Sequence, residues 1–425
     1  MQLNQHLRRA LAGAITIGAL LGARAAVADD HVEVSSTWYQ EKRAGGRGGL
    51  TVISPMFDLG FDLGSHTTVD LGYSADAVTG ATATVYSVDA VTQATTFSDF
   101  RNEGKLGLTF TGKRSTFGMG ALVGTERDYV TLAVSGGGSI DLPGKNTTLA
   151  LSYTHNRDQV CDKDNAMATI LERRALSGLD PCDKSSGVFG KDRPGTTVWH
   201  DVSIDTAQAS VTQNLSPTMN MQLALWGQIV EGFQSSPYRR VRVGPNEPQE
   251  NQPETRARVA LSVRINRYLP GLKAALHAGA RVYDDTWGVT GGAVDMGWSQ
   301  YFGQNLILDL HGRLSQQTAA AFFKDAFFYE TESTAGAYFT GDRELSPVRN
   351  ILVGAKLAVV SIAEDDKQVW GIFDRLQFGL KGDLLSLDQL PADRVSENQA
   401  GTADQFLTGG FLNAFVVQLS LLAQF

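Results

Sequence analysis

The chain has 425 residues, a formal net charge of −8, 45 glycines, 12 prolines and two cysteines. The acidic balance argues against nucleic acid as a partner, and no internal segment is apolar for long enough to cross a bilayer as a helix. Modest hydropathy with abundant glycine suits a transmembrane barrel, where each strand sends only about half of its side chains outward into lipid.

In chain order, the first 28 residues read as a secretory signal peptide. Arg8 and Arg9 supply a basic start, residues 10–21 form an apolar run too short to span a bilayer, and Ala26-Val27-Ala28 is a small-x-small cleavage site. Residues 29–425 are then expected to form one domain. Next comes DAVTGATAT at residues 76–84, followed at 89–95 by DAVTQAT, a near copy in which Gln93 stands where the first has Gly80.

Further along, segments of roughly ten residues alternate apolar and polar side chains, the period of a strand with two different faces. Residues 147–155 put Leu149, Leu151 and Tyr153 on one face. Residues 219–229 do the same with Met219, Met221, Leu223, Leu225 and Ile229. Residues 256–266 place Ala257, Val259, Leu261, Val263 and Ile265 opposite Arg256, Arg258, Ser262, Arg264 and Asn266. Stretches at 272–283, 305–314, 348–360, 372–384 and 415–425 continue the pattern. Between them, tight turns around 64–66, 111–113, 143–146, 216–218, 270–271 and 302–305 alternate with longer connections near 78–100, 157–197, 232–255, 317–346 and 388–405. The expected fold is all-β: a transmembrane antiparallel β-barrel of about 16 strands, 14 being the alternative, with short periplasmic turns and long outer loops.

Three groups of side chains bear on function. Arg258, Arg264, Lys273, His277, Arg281, His311, Arg313, Lys356 and Lys381 fall on the water-facing parity, with Asp295, Asp309 and Asp383 among them. They form either a network of pairs inside the barrel or a basic stripe that attracts anions. Cys161 and Cys182 lie in one long connection and suit a disulfide at its base in an exported protein. With no histidine or third cysteine beside them, they do not suggest a metal site. Asp284 and Asp285 end a strand near a rim and read as a solvated face, with catalysis or cation binding as the other reading. The aromatics Phe322, Phe323, Phe327, Phe328 and Tyr329 read as a girdle at the membrane interface, with a lumen plug or a partner contact as the other readings. No Ser/His/acid spacing stands out, and no enzyme activity is expected.

Two resemblances extend these readings. The C-terminal strand ends in Phe425 and resembles the terminal strand of Gram-negative outer-membrane barrels, which implies recognition by the barrel-insertion machinery and an outer-membrane lipid environment. The segment Asp76, Thr79, Gly80, Ala81, Thr82 resembles the acceptor motif for covalent flavin in exported redox proteins, where a flavin transferase esterifies FMN to the last hydroxyl. That resemblance implies FMN on Thr82, with a periplasmic flavin transferase as partner. Together with ERDY at 126–129, VYDDTWG at 282–288 and GRLSQQTAAAFF at 312–323, the segment is similar to an uncharacterised family of bacterial outer-membrane barrels, catalogued only as a domain of unknown function. Its members tend to be encoded beside such a transferase. The familiar flavin acceptors are not barrels, so the motif departs from its usual setting. The readings that follow are a flavin-bearing electron conduit, a porin-like channel or exporter for small and perhaps anionic solutes, and a plugged structural or partner-binding barrel.

Overall fold

The computed structural model describes residues 30–43, 50–80, 97–126, 129–163, 197–236, 241, 250–324, 336–363, 368–390 and 411–425. Sixteen strands run in chain order: β1 His31–Arg43, β2 Leu50–Asp62, β3 Thr67–Gly80, β4 Phe97–Thr111, β5 Ser115–Thr125, β6 Tyr129–Asp141, β7 Thr147–Lys163, β8 Thr197–Ser216, β9 Met219–Gly232, β10 Thr255–Leu269, β11 Ala274–Asp285, β12 Thr290–Phe302, β13 Leu306–Gln317, β14 Val348–Ile362, β15 Arg375–Gln389 and β16 Phe411–Gln424. Each pairs antiparallel with its sequence neighbours, and β1 closes on β16 from His31↔Gln424 to Arg43↔Leu412. The barrel has 16 strands, not 14. Closure leaves no open edge, the only way a sheet can satisfy its backbone in hydrocarbon.

Strand lengths run from 11 residues in β5 to 20 in β8. A tilted strand needs roughly 9–11 residues to cross, so β7 and β8 extend well past the spanning length. Alternation decides which face meets lipid. Leu151, Leu225, Leu261, Val294, Val353, Leu384 and Leu421 are all exposed on the outside, and their polar neighbours turn inward. In water such a surface would be a large apolar patch; in a bilayer it is the solvated face.

The connections sort by end. Residues 63–66, 112–114, 142–146, 217–218, 270–273 and 303–305 make short turns at one rim, with 363–374 longer. In the turn 142–146 Gly144 takes φ 91°, which a side chain would resist. Asp30 and Phe425 sit at this near rim, where the Phe425 amide donates to the Asp30 carbonyl at 2.9 Å. The long connections 44–49, 81–96, 164–196, 233–254, 318–347 and 390–410 leave from the far rim, together with two short ones at 126–128 and 286–289.

At the far rim the chain builds a second, smaller core. Trp287, Val289, Ala319, Ala320, Phe323 and Leu345 bury one another. The Ala321 amide donates to the Trp287 carbonyl and the Ala320 amide to Leu345, both at 2.8 Å. Phe323 is fully buried, and Phe322 meets Trp287 edge-on at 5.2 Å. These two residues are therefore not girdle aromatics, because the segment after β13 folds back over Trp287. Residues 327–329 lie outside the described residues. Asn251 and Phe339 exchange backbone hydrogen bonds of 3.1 and 2.9 Å. Beside them the buried Glu250 carboxylate accepts from the Ser236 amide (2.8 Å), the Gln252 side chain (3.1 Å) and the Thr340 hydroxyl (2.7 Å). The connections after β9 and β13 thus form one packed unit.

Asp285 departs from the solvated-face reading. It is buried, pairs with Arg256 (Nε at 2.8 Å) and accepts from the Tyr283 hydroxyl at 2.7 Å and from the Trp287 and Val289 amides, each at 2.9 Å. The Arg256 guanidinium lies over the Trp287 ring, 4.3 Å from its centroid. The tight turn from β11 to β12 draws Asp285 inward as its anchor and leaves Asp284 exposed.

Candidate functional site: the basic wall of the lumen

Directly opposed residues of an antiparallel pair share a face, so the register reads out the inner wall row by row. One row across β10–β14 is Arg264, Gly279, Asp295, Arg313, Leu352. The next toward the near rim is Asn266, His277, Gly297, His311, Gly354, Asp383. Below it run Ser299, Asp309, Lys356, Lys381 and Gln418. Toward the far rim lie Ser262, Arg281, Ala293 and Ser315. Eight of the nine cationic positions read from the sequence, Arg258, Arg264, His277, Arg281, His311, Arg313, Lys356 and Lys381, are thus inward-facing on β10–β15. Lys273 is not. It occupies the turn before β11 with φ 48°, because the single 3-10 turn Pro270–Leu272 shifts the strand start to Ala274.

Glycines shape this wall. A Cβ on Gly297 would fall inside the His277 ring, and one on Gly354 inside the Asp383 carboxylate and the His311 ring. The side chains lie flat across their neighbouring strands, and only glycine leaves room for that. In this way His311 Nε2 reaches Asp383 at 2.8 Å, while Lys381 Nζ holds the other carboxylate oxygen at 2.8 Å. Asp295 lies over Gly279 toward Arg264, 4.0 Å away. Among the described residues, neither Arg313, Lys356 nor Arg281 has a carboxylate within salt-bridge reach. Arg281 sits instead over the inward-facing Trp226 ring, 5.7 Å from its centroid. Arg258 donates to Gln228 at 3.0 Å. The stripe is partly a paired network and partly cations without an ion pair, with Asp309 standing directly opposite Lys356.

The opposite wall is better balanced. Lys105 Nζ bonds Asp58 at 2.6 Å by crossing Gly72, where a Cβ would collide with it. His31 and Asp70 complete a group whose ligand-type atoms lie within 4.8 Å of one another. The ammonium already supplies the cation these acids need, so the group reads as an ion cluster. Sequence parity on β2–β4 could have exposed it, but pairing Asp58 with Lys105 across an intervening strand needs the register.

The segment 76–84 divides at the strand end. Asp76 accepts from the Ser54 hydroxyl and opposes Arg101, itself paired with Glu103 at 2.8 Å. Thr79 and Gly80 are laddered to Thr51 and Leu50 on one side and to Ser98 and Phe97 on the other. Ala81 and Thr82 lie outside the described residues. Cys161 is buried near the far end of β7; Cys182 lies outside the described residues, so its expected pairing is not described.

A family model described as a protein of unknown function, DUF3570, matches residues 10–361. Curated proteins give no match. Among solved structures, a bacterial polysaccharide outer membrane secretin aligns over 94% of this chain and 99% of its own at 7% identity and TM-score 0.47. Pseudomonas aeruginosa OccK2 (OpdF) covers 94% and 98% at 9% identity and TM-score 0.39, and a Pseudomonas aeruginosa FadL homologue covers 93% and 90% at 8% and 0.41.

Proposed function

The chain belongs to the DUF3570 family of unknown function, and we propose that it is an outer-membrane channel for small anionic solutes. The observation that carries this reading is the set Arg281, Arg313 and Lys356, which face the lumen without a carboxylate partner among the described residues. The sign of this wall is opposite to the net charge of −8. Sixteen strands are enough to enclose an aqueous channel. Charge on its low-dielectric wall concentrates counter-ions and excludes ions of like sign. In this reading the near rim faces the periplasm and the packed far-rim segments face outward. The inner wall turns apolar and buried toward that far rim, at Val202, Ile204 and Val230, so the wetted stretch is its middle and near part. The test is the reversal potential of the purified barrel in planar bilayers under a potassium chloride gradient. Chloride preference that falls in Arg313→Gln/Lys356→Gln supports the channel; cation preference in the parent refutes it.

Covalent FMN on Thr82, serving flavin-linked electron transfer, is a separate proposal that rests on the acceptor motif. Because Thr79 and Gly80 are laddered on both sides, and Asp76 to Arg101 on one side with its side chain held by Ser54 on the other, a transferase reading the motif has to meet it before β3 enters the sheet. Intact mass with and without a co-expressed flavin transferase, beside Thr82→Ala, tests it. An added FMN lost in the variant supports it, and an unchanged mass rejects it.

A further inference from the structure

Within the basic wall, Arg281 and Arg313 differ from the lysines. They sit on β11 and β13, either side of β12, two ladder spacings across and two residues along the strand, roughly 12 Å between backbones, with Ala293 beside Arg281 and Asp295 beside Arg313 on the strand between them. Both are exposed to the lumen. Asp295, the nearest acid in the row of Arg313, leans the other way, over Gly279 toward Arg264. Arg281 rests against Trp226, a contact that orients the guanidinium plane and consumes none of its five N–H donors. Two guanidinium forks thus face one stretch of lumen, with only Ala293 and the averted Asp295 on the strand between them.

We propose that Arg281 and Arg313 form a binding station for a doubly charged oxyanion, a solute whose several oxygens engage both forks. Planar forks match carboxylate, sulfate and phosphate oxygens bidentately, whereas a halide sees only charge. Trp226 is a positioning residue that holds the first fork. The physiological sense of the station rests on the channel reading, but binding at it does not.

The test uses the reconstituted full barrel, with sulfate and succinate as probes at fixed ionic strength and chloride current as readout. Sulfate is expected to depress the current saturably at millimolar concentration. Arg281→Lys and Arg313→Lys keep the charge and lose the fork. Each is expected to raise the half-blocking concentration about tenfold. Trp226→Leu is expected to weaken block less than either. Succinate block beside sulfate block identifies a general oxyanion station; block by one alone narrows the class to that chemistry. Equal block of parent and lysine variants overturns the station and leaves the channel standing. If the parent carries no current, labelled sulfate binding to the detergent-solubilised barrel decides instead: saturable binding lost in Arg313→Lys supports the station, and its absence refutes it.

Discussion

Changing Asp285 to Asn isolates the charge of the Arg256–Asp285 pair. The new carbonyl still accepts from the Trp287 and Val289 amides, so the turn keeps its anchor. The new amide confronts the Arg256 guanidinium and the Tyr283 hydroxyl, which donated to the lost oxygen. Both members of the pair are buried. Breaking such a pair from one side costs about 3–5 kcal/mol, because the partner charge is stranded. The Trp287 face offsets ~1 kcal/mol of that, so the expected loss is about 3 kcal/mol. Arg256→Met should cost a similar amount, and the double variant should not cost the sum. The measurement is reversible urea unfolding in lipid vesicles, followed by tryptophan fluorescence, over the full double-mutant cycle. A coupling of about 3 kcal/mol supports the reasoning. A coupling below ~1 kcal/mol, the range of solvent-exposed pairs, would show that water reaches the pair and refute it.

Three further outcomes are expected. Gly297→Ala should destabilise the barrel by about 1–3 kcal/mol, as overpacking does, since its methyl collides with the His277 ring; Gly382→Ala, with open space around its Cα, should be neutral in the same unfolding assay. Leu261→Arg places a charge on the outer face of β10 and should cost about 2–4 kcal/mol if the site lies near the bilayer midplane, whereas Ser262→Arg, one residue on, should cost under ~1 kcal/mol; equal costs would overturn the assignment of faces. Glu250→Ala removes the acceptor shared by Ser236, Gln252 and Thr340 and should make residues 233–254 and 318–347 susceptible to limited proteolysis together. Independent cleavage of the two segments would show that they are not one unit.

Period-two alternation made the barrel legible without coordinates. Leu149, Leu151 and Tyr153 or Val259 and Leu261 announce a lipid face because no other fold needs so many strands with one apolar and one polar side. Turn chemistry located the near rim for the same reason: Pro143-Gly144-Lys145-Asn146 permits nothing but a turn. Register is another matter. That His311 reaches Asp383 across Gly354, or that Asp295 leans to Arg264 and leaves Arg313 alone, depends on which residues stand opposite, and no local pattern encodes that. Lys273 was misplaced because parity assumes an unbroken strand, and the 3-10 turn at Pro270–Leu272 breaks it. Phe322 and Phe323 defeated composition, since an aromatic pair looks the same in an interface and in a small core; only the hydrogen bonds to Trp287 and Leu345 place it.

The seam between β1 and β16 has a kinetic consequence. Thirteen residues of β1 find their partners several hundred positions away, while every other ladder joins neighbours in sequence. Loop-closure entropy for such a span exceeds that of a hairpin by about 4 kcal/mol, so the hairpins have reason to form first and the seam last. Until it forms, two rows of unpaired backbone groups are open to other chains, and hydrocarbon tolerates neither. Once it forms, unzipping any ladder recreates both rows at once. The barrel should therefore lose its strands together, with no stable partly opened form in the bilayer.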